Sequence, residues 1–150
     1  MNTKDKGDIS EAKALLEFSK RGIPVLIPWG DNLRYDMVIE LNKTFYRVQV
    51  KTANEERNGA ILCYTRSSTN HTSNKKLSTY EDDVDYFVFY NQKRDIIALV
   101  PIDVVNEKKT LSLRIEKPKN CAVKNVRYFE DYSFDKTLCV ETLHEEPKSE

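Results

Sequence analysis

Apolar residues fall on every second position in two stretches, Met37, Ile39, Leu41 and then Tyr46, Val48, Val50. A period of two marks a strand with one buried face. Between the stretches lie Asn42 and Lys43, which suit a tight two-residue hairpin turn. Leu41 then pairs with Thr44, and the ladder carried back sets Asp36 directly opposite Gln49. Opposed side chains have Cβ atoms roughly 4.5–5.5 Å apart. Lys51 shares the face of Gln49, about 6.6 Å further along the strand. A slip of one residue would set the apolar face against polar partners. The register that buries the apolar side therefore also gathers Asp36, Gln49 and Lys51.

The remaining pattern predicts a helix and then several strands. The helix is expected to start at Asp8, with Asp8 as N-cap and Glu11 at N3 in a capping box. Ile9, Ala12, Leu15 and Leu16 recur at helical spacing and form its expected buried face. Gly22 and Pro24 end it. "VLI" at 25–27 predicts a short buried strand, and "PWGDN" a turn. After the hairpin at 36–51 comes a strand around "AILCYT". A strand pair follows, "DYFVFY" (85–90) and "DIIALVPI" (95–102), around "NQKR". A short helix is expected from Pro101 to Val105, and a last strand at "LSLRI" (111–115). No clean period emerges from Lys117 onward. The tail "HEEPKSE" is low in complexity and is expected to be disordered over 144–150. A helix followed by strands predicts a mixed α/β or α+β domain.

Length fits one domain spanning 1–150. A hydrophobic share of 39% suffices for one core, and 32% charged residues imply a wet surface. No apolar run reaches membrane-spanning length. The polar start "MNTKDKGDIS" lacks the apolar stretch of a secretory signal. A cytoplasmic protein is therefore expected. Cys63, Cys121 and Cys139 are odd in number and irregularly spaced, which argues against a disulfide framework. His71 and His144 stand far apart in polar surroundings, so no zinc site is expected.

Formal net charge is zero, yet its distribution is uneven. Residues 1–80 hold 13 basic and 9 acidic side chains, and residues 81–150 hold 11 and 15. Between Arg57 and Tyr80 there is no acid, while Arg57, Arg66, Lys75 and Lys76 lie in a run rich in hydroxyls and amides. Such a run can donate many hydrogen bonds to phosphates and base edges. Arg57, Arg66, His71, Lys75 and Lys76 are the candidate DNA contacts. Lys6, Lys43, Lys93 and Arg94 can add phosphate contacts. A solvated loop would have the same composition.

The polar face of the hairpin also has two readings. Asp36 and Lys51 can be a plain surface ion pair worth ~0–1 kcal/mol, and Glu11 can simply cap its helix. Against this, both Asp36 and Lys51 stand near strand ends beside loops, where sites are usually assembled.

An Asp on one strand, then x-Lys after a hairpin, with a helical Glu upstream, resembles the PD-(D/E)XK nuclease superfamily. Asp36 matches the motif's Asp, Gln49 stands where Glu or Asp is usual, and Lys51 matches its lysine. Glu11, in "KGDISEAKALLEF", matches the helical acid of the Holliday-junction-resolvase-like branch. "DVDYFVFY…IIALVPI" looks like that branch's second strand pair. The likeness covers roughly residues 6 to 105, leaving 106–150 as a C-terminal extension that can serve as an interface or as core. As a whole the sequence looks most like the group I intron-encoded homing endonucleases of cyanobacteria. Tyr35 replaces the motif's proline, and neutral Gln49 replaces a carboxylate.

The resemblance implies a restriction-endonuclease-like core, a mixed central β-sheet flanked by helices. It also implies a divalent metal, Mg2+ or Mn2+, held by Glu11, Asp36, Gln49 and the backbone carbonyl of Val50. Glu11, Asp36, Gln49 and Lys51 become the expected catalytic set. Magnesium takes hard oxygen ligands, so Glu11 and Asp36 must supply the charge that Gln49 lacks. The implied activity is site-specific hydrolysis of double-stranded DNA by a homo-oligomer, a homotetramer or a homodimer, used in intron homing. The rivals are a junction resolvase, a restriction enzyme and a non-catalytic DNA-binding module.

Overall fold

A computed structural model describes residues 1–30, 32–66, 83–105, 109–120 and 124–143, with 140–143 described by backbone alone. Helix α1 (Thr3–Lys20) leads into the edge strand β1 (Val25–Leu26) and the hairpin β2 (Met37–Leu41) and β3 (Thr44–Thr52). Then come β4 (Glu56–Arg57), β5 (Ala60–Tyr64), β6 (Tyr86–Asn91) and β7 (Ile96–Pro101). The described chain closes with α2 (Ile102–Val105), β8 (Thr110–Arg114), a 3-10 turn at Phe129–Tyr132 and α3 (Phe134–Leu143). This is an α+β fold on a five-stranded sheet ordered β1-β2-β3-β6-β7, with a three-stranded sheet β4-β5-β8. The larger sheet is mixed, because β3 and β6 run parallel while its other pairs are antiparallel.

The hairpin forms as its pattern predicts. Leu41 pairs with Thr44 and Met37 with Val48. Asn42 and Lys43 both take positive φ, 51° and 65°, which matches the twist of the strands they join. Met37, Ile39, Val48 and Val50 are buried, with Leu41 and Tyr46 packed against them. The ladder departs from expectation only at Asp36. Its N–H donates to Val48 O at 2.9 Å, and its carboxylate accepts from Val50 N–H at 2.7 Å. Asp36 therefore leans across the end of β3 instead of continuing the pairing to Gln49. An acceptor side chain competes with the ladder for a backbone donor and ends the regular pairing.

Two cores flank the sheet. On one side α1 and α3 press Ala14, Phe18 and Phe134 onto Met37, Ile39, Val48, Val50, Val88 and Leu99. Phe18 meets Phe134 at 4.9 Å between ring centroids, and Arg21 bonds Asp135 at 2.8 Å to tie the two helices. On the other side Phe87, Phe89, Ala98 and Val100 pack against Ile61, Cys63, Leu111, Leu113 and Phe129. Strand β6 serves both cores and is buried at all six residues. Within the extension from 106, Leu111, Leu113, Phe129 and Phe134 are core, while Tyr128 and Tyr132 are half-buried.

Helix α1 corrects three expectations. It begins at Thr3 with Asn2 as N-cap, whose side chain accepts from Asp5 N–H. Gly7 does not stop it, since a helical glycine costs only about 1 kcal/mol against alanine. Glu11 thus lies in the third turn and caps nothing. The buried face is Ser10, Ala14, Glu17 and Phe18, whereas Ile9, Leu15 and Leu16 are 40%, 40% and 51% exposed and Ala12 is exposed as well. The helix lies on the sheet along the line that seats Phe18, and Glu17 is accommodated there by Arg21 at 2.7 Å. The helix does end as predicted. Gly22 takes φ +68°, with N–H bonds from Gly22 to Ser19 O and from Ile23 to Phe18 O, a Schellman closure. Strand β1 is partly exposed, because it is the sheet's edge. Among the described residues no helix is long and apolar enough to cross a membrane.

Candidate active site

The end of β3 next to α1 brings Asp36 within electrostatic reach of Glu11 and of Lys51, and Gln49 shares the strand of Lys51. Glu11 projects from the third turn of α1, Asp36 precedes β2, and Gln49 and Lys51 belong to β3. Burial raises the Asp36 carboxyl above its ordinary range, while the Val50 N–H and the charge of Lys51 pull it part of the way back. The Glu11 carboxyl is pushed up to about 7, first by burial and then by the negative charges of Asp36 and Asp8. Asp36 is thus electrostatically coupled to Glu11 on one side and Lys51 on the other. Gln49 is half-buried, and its side-chain nitrogen lies 3.5 Å from the carbonyl oxygen of Val50. The two ends of an amide are nearly indistinguishable in shape. Turned over, it directs an oxygen towards the same space as that carbonyl.

This donor set fits a divalent cation. Two carboxylates that resist ionising near each other mark a place where positive charge is missing. One oxygen of Asp36 is engaged by Val50 N–H, leaving the other for a ligand. Among the described residues no three His, Cys, Asp or Glu side chains gather as a metal cage. Two carboxylates with neutral oxygens and water are what magnesium commonly takes. Glu11, Asp36, Gln49 and the Val50 carbonyl are the groups that would hold it.

A hydroxyl cluster locks these elements together. Ser10, beside Glu11, is buried, and its Oγ lies 2.6 Å from Oγ1 of Thr52, beside Lys51. Lys6 O lies 3.0 Å from Ser10 Oγ and 3.2 Å from Thr52 Oγ1, so one hydroxyl donates to it while the other donates across the pair. Gln92 Nε2 donates to Lys6 O at 2.8 Å and to Ser10 Oγ at 3.3 Å. The lock joins the helix carrying Glu11 to the strand carrying Lys51. Its residues lie next to the motif, but no local period signals a contact between Ser10 and Thr52. The hairpin β4–β5 was likewise missed, although "NG" at 58–59 announces it. Asn58 and Gly59 take φ 51° and 76°.

The expected DNA contacts are less concentrated. Arg57 is exposed on β4 and pairs with Glu55 at 3.3 Å, and Arg66 follows β5, half-buried. His71, Lys75 and Lys76 lie outside the described residues, as do Cys121, His144 and the tail. Arg94 pairs with Glu56 at 2.6 and 3.0 Å. Cys63 is buried and Cys139 is exposed.

Comparison with known proteins agrees with this architecture. A bacterial homing endonuclease, I-Ssp6803I, superimposes with a TM-score of 0.68 at 24% identity, covering 94% of this chain and 93% of that one. Hjc, a Holliday junction resolvase from Archaeoglobus fulgidus, gives a TM-score of 0.47 at 16% identity, over 73% of this chain and 84% of that one. No curated protein matches the sequence. The family model described as PD-(D/E)XK endonuclease matches residues 1–135. With nine-tenths of its length matched and the family's sheet and helices in place, the chain belongs to the PD-(D/E)XK endonucleases.

Proposed function

We propose that the protein is a site-specific double-strand DNA endonuclease that uses Mg2+ or Mn2+ and serves intron homing. The observation that carries the catalytic part is the coupling of Glu11, Asp36 and Lys51 at one end of β3. A bound divalent ion would supply a more acidic water and polarise the phosphoryl oxygen. Glu11 and Asp36 provide the negative charge for it, and Gln49 and Val50 provide neutral oxygens. Lys51 orients the attacking water and offsets charge on a non-bridging oxygen as it develops. The attacking water gives up a proton to solvent as its oxygen bonds to phosphorus, the bond to the 3′-oxygen breaks, and that oxygen takes a proton from solvent. The products carry 5′-phosphate and 3′-hydroxyl ends.

One such site cuts one strand, so a double-strand break calls for at least two copies about a two-fold axis. A homing target is long, and a specific DNA interface covers about 1,000–2,500 Å² of protein. That demand favours a homotetramer over a homodimer. The outward stripe of Ile9, Leu15 and Leu16 on α1 supports self-association, since grouped exposed apolar residues mark interaction surfaces. Arg57 and the run to Lys76 are the proposed target-reading segment, acting in the cytoplasm.

The test is digestion of paired plasmids with Mg2+, one carrying the intronless allele and one the intron-bearing allele. Linear product from the intronless plasmid alone is expected. Cutting of a four-way junction but not of linear duplex would replace homing with junction resolution. DNA binding with no cleavage in either metal would leave a non-catalytic binder.

A further inference from the structure

The loop between β1 and β2 carries apolar surface that the catalytic residues do not use. Ile27 is 63% exposed and Leu33 49%, and Trp29 is fully exposed. An indole ring standing in water gives up more burial than almost any other side chain, and Trp29 is the chain's only tryptophan. Its position follows from the sheet. Strand β1 pairs Val25 with Ile39 and Leu26 with Val38. The loop that follows opens at the Leu26–Val38 pair and closes at Asp36, which directly precedes β2. Trp29 therefore sits on the segment that delivers the candidate metal ligand. The far end of the loop is anchored by Arg34 on Asp83 at 3.1 Å and by Tyr35 packed on the core. Gly30 takes φ +90°, which turns the chain just after the indole.

We propose that Trp29, backed by Ile27, is an apolar wedge that packs on the nucleotides flanking the cut phosphate. The inference rests on the nuclease reading, since it places the scissile phosphate at Asp36 and Lys51. A ring on the loop that delivers Asp36 is placed to meet the sugar and base next to a phosphate seated there. A second copy of this chain is the poorer occupant, because a protein seated on this loop would crowd Asp36 at the loop's end. Apolar side chains inserted beside a base step unstack it and bend the duplex. Here that would loosen the backbone at the bond to be cut. Trp29 is then a positioning residue that reads deformability rather than base identity.

The single tryptophan makes the test direct. Full-length protein with Lys51→Ala, so that DNA stays intact in Mg2+, is titrated with a fluorescein-labelled mixed-sequence duplex. Tryptophan emission is followed alongside fluorescein anisotropy. The emission is expected to weaken and move to shorter wavelength in step with the rise in anisotropy. Trp29→Ala in the same background should weaken duplex binding about tenfold, within the range of one base–aromatic stack. The slope of log affinity against log salt should not change, because no charge is removed. Trp29→Phe should recover most of the loss. Trp29 is fully exposed and outside both hydrophobic cores, so these variants keep the core intact. Binding with unmoved emission would overturn the wedge. So would emission that shifts with protein concentration alone and ignores DNA, which would assign Trp29 to a contact between copies. Absence of any anisotropy rise would instead remove the nuclease reading, and the wedge with it.

Discussion

Two hairpins of one sheet, β2–β3 and β6–β7, divide the labour. Strand β6 is buried along its whole length, and β7 through its last three residues before Pro101. In β2 and β3 burial alternates, and the side chains at Gln49 and Lys51 remain half-buried. Yet β3 lies between β2 and β6, with Gln49 paired to Phe87 and Lys51 to Phe89. Gln49 and Lys51 therefore stand on a strand open enough to meet a phosphate, beside one buried along its whole length. The neighbour supplies packing, and the polar side chains stay at the wet end.

Substitutions on opposite sides of that pair should separate the two roles. Phe89→Ala empties a fully buried site next to Lys51. It should cost about 3–5 kcal/mol of folding stability in denaturant titration, with activity lost in proportion to unfolding. Lys51→Ala should do the reverse. Cleavage should fall roughly 10²–10³-fold, the usual loss when a group stabilising developing charge is removed, while the denaturation midpoint scarcely moves. Equal effects of both variants on stability would erase the division.

The frame was legible and the helix was not, for physical reasons. Strand pairs at 37–41 with 44–52 and at 86–91 with 96–101 announce themselves through a period of two and residues suited to tight turns. Lys51 and Gln49 follow from the same alternation. The buried face of α1 was misread because its apolar residues form two stripes. Only the sheet decides between them, and it selects the line through Ala14 and Phe18. Asp36 was placed at the right end of the hairpin but in the wrong posture, since a side-chain bond to Val50 N–H overrides the ladder. The Ser10–Thr52 contact was invisible, because it joins residues 42 apart in sequence.

That contact sharpens the comparison by asking how the helix is held to β3. Thr52→Val removes one hydroxyl from the cluster and leaves buried Ser10 Oγ without its 2.6 Å partner. A loss of about 1 kcal/mol in stability is expected. Because Glu11 follows Ser10 directly, its placement against Asp36 should slacken, and Mg2+ should bind several-fold more weakly in calorimetry. Thr52→Ser should restore both. A stability loss with unchanged Mg2+ affinity would make the cluster a fold element only.

The smallest effect concerns the site's own charge in metal-free protein. Folding raises the Glu11 pKa from 4.5 to about 7, through burial and then Asp36 and Asp8. Below pH 4.5 the group is protonated in folded and unfolded chains alike and costs nothing. As pH rises towards 7 the unfolded chain releases this proton and the folded chain retains it, so stability falls. Past pH 7 the folded carboxylate is ionised beside Asp36 and the loss is complete. Glu11→Gln is neutral throughout and should lack this slope. Partial exposure screens the repulsion, so the gain at pH 8 should be on the order of 1 kcal/mol. For a chain of this size that is a Tm rise of roughly 2–4 °C. Mg2+ should raise the Tm of the wild type at pH 8 and barely move the variant, because the cation relieves the repulsion that the variant no longer has. A variant that keeps the wild-type pH slope would place the strain elsewhere, and Glu11 would then no longer be a ligand in the candidate cradle.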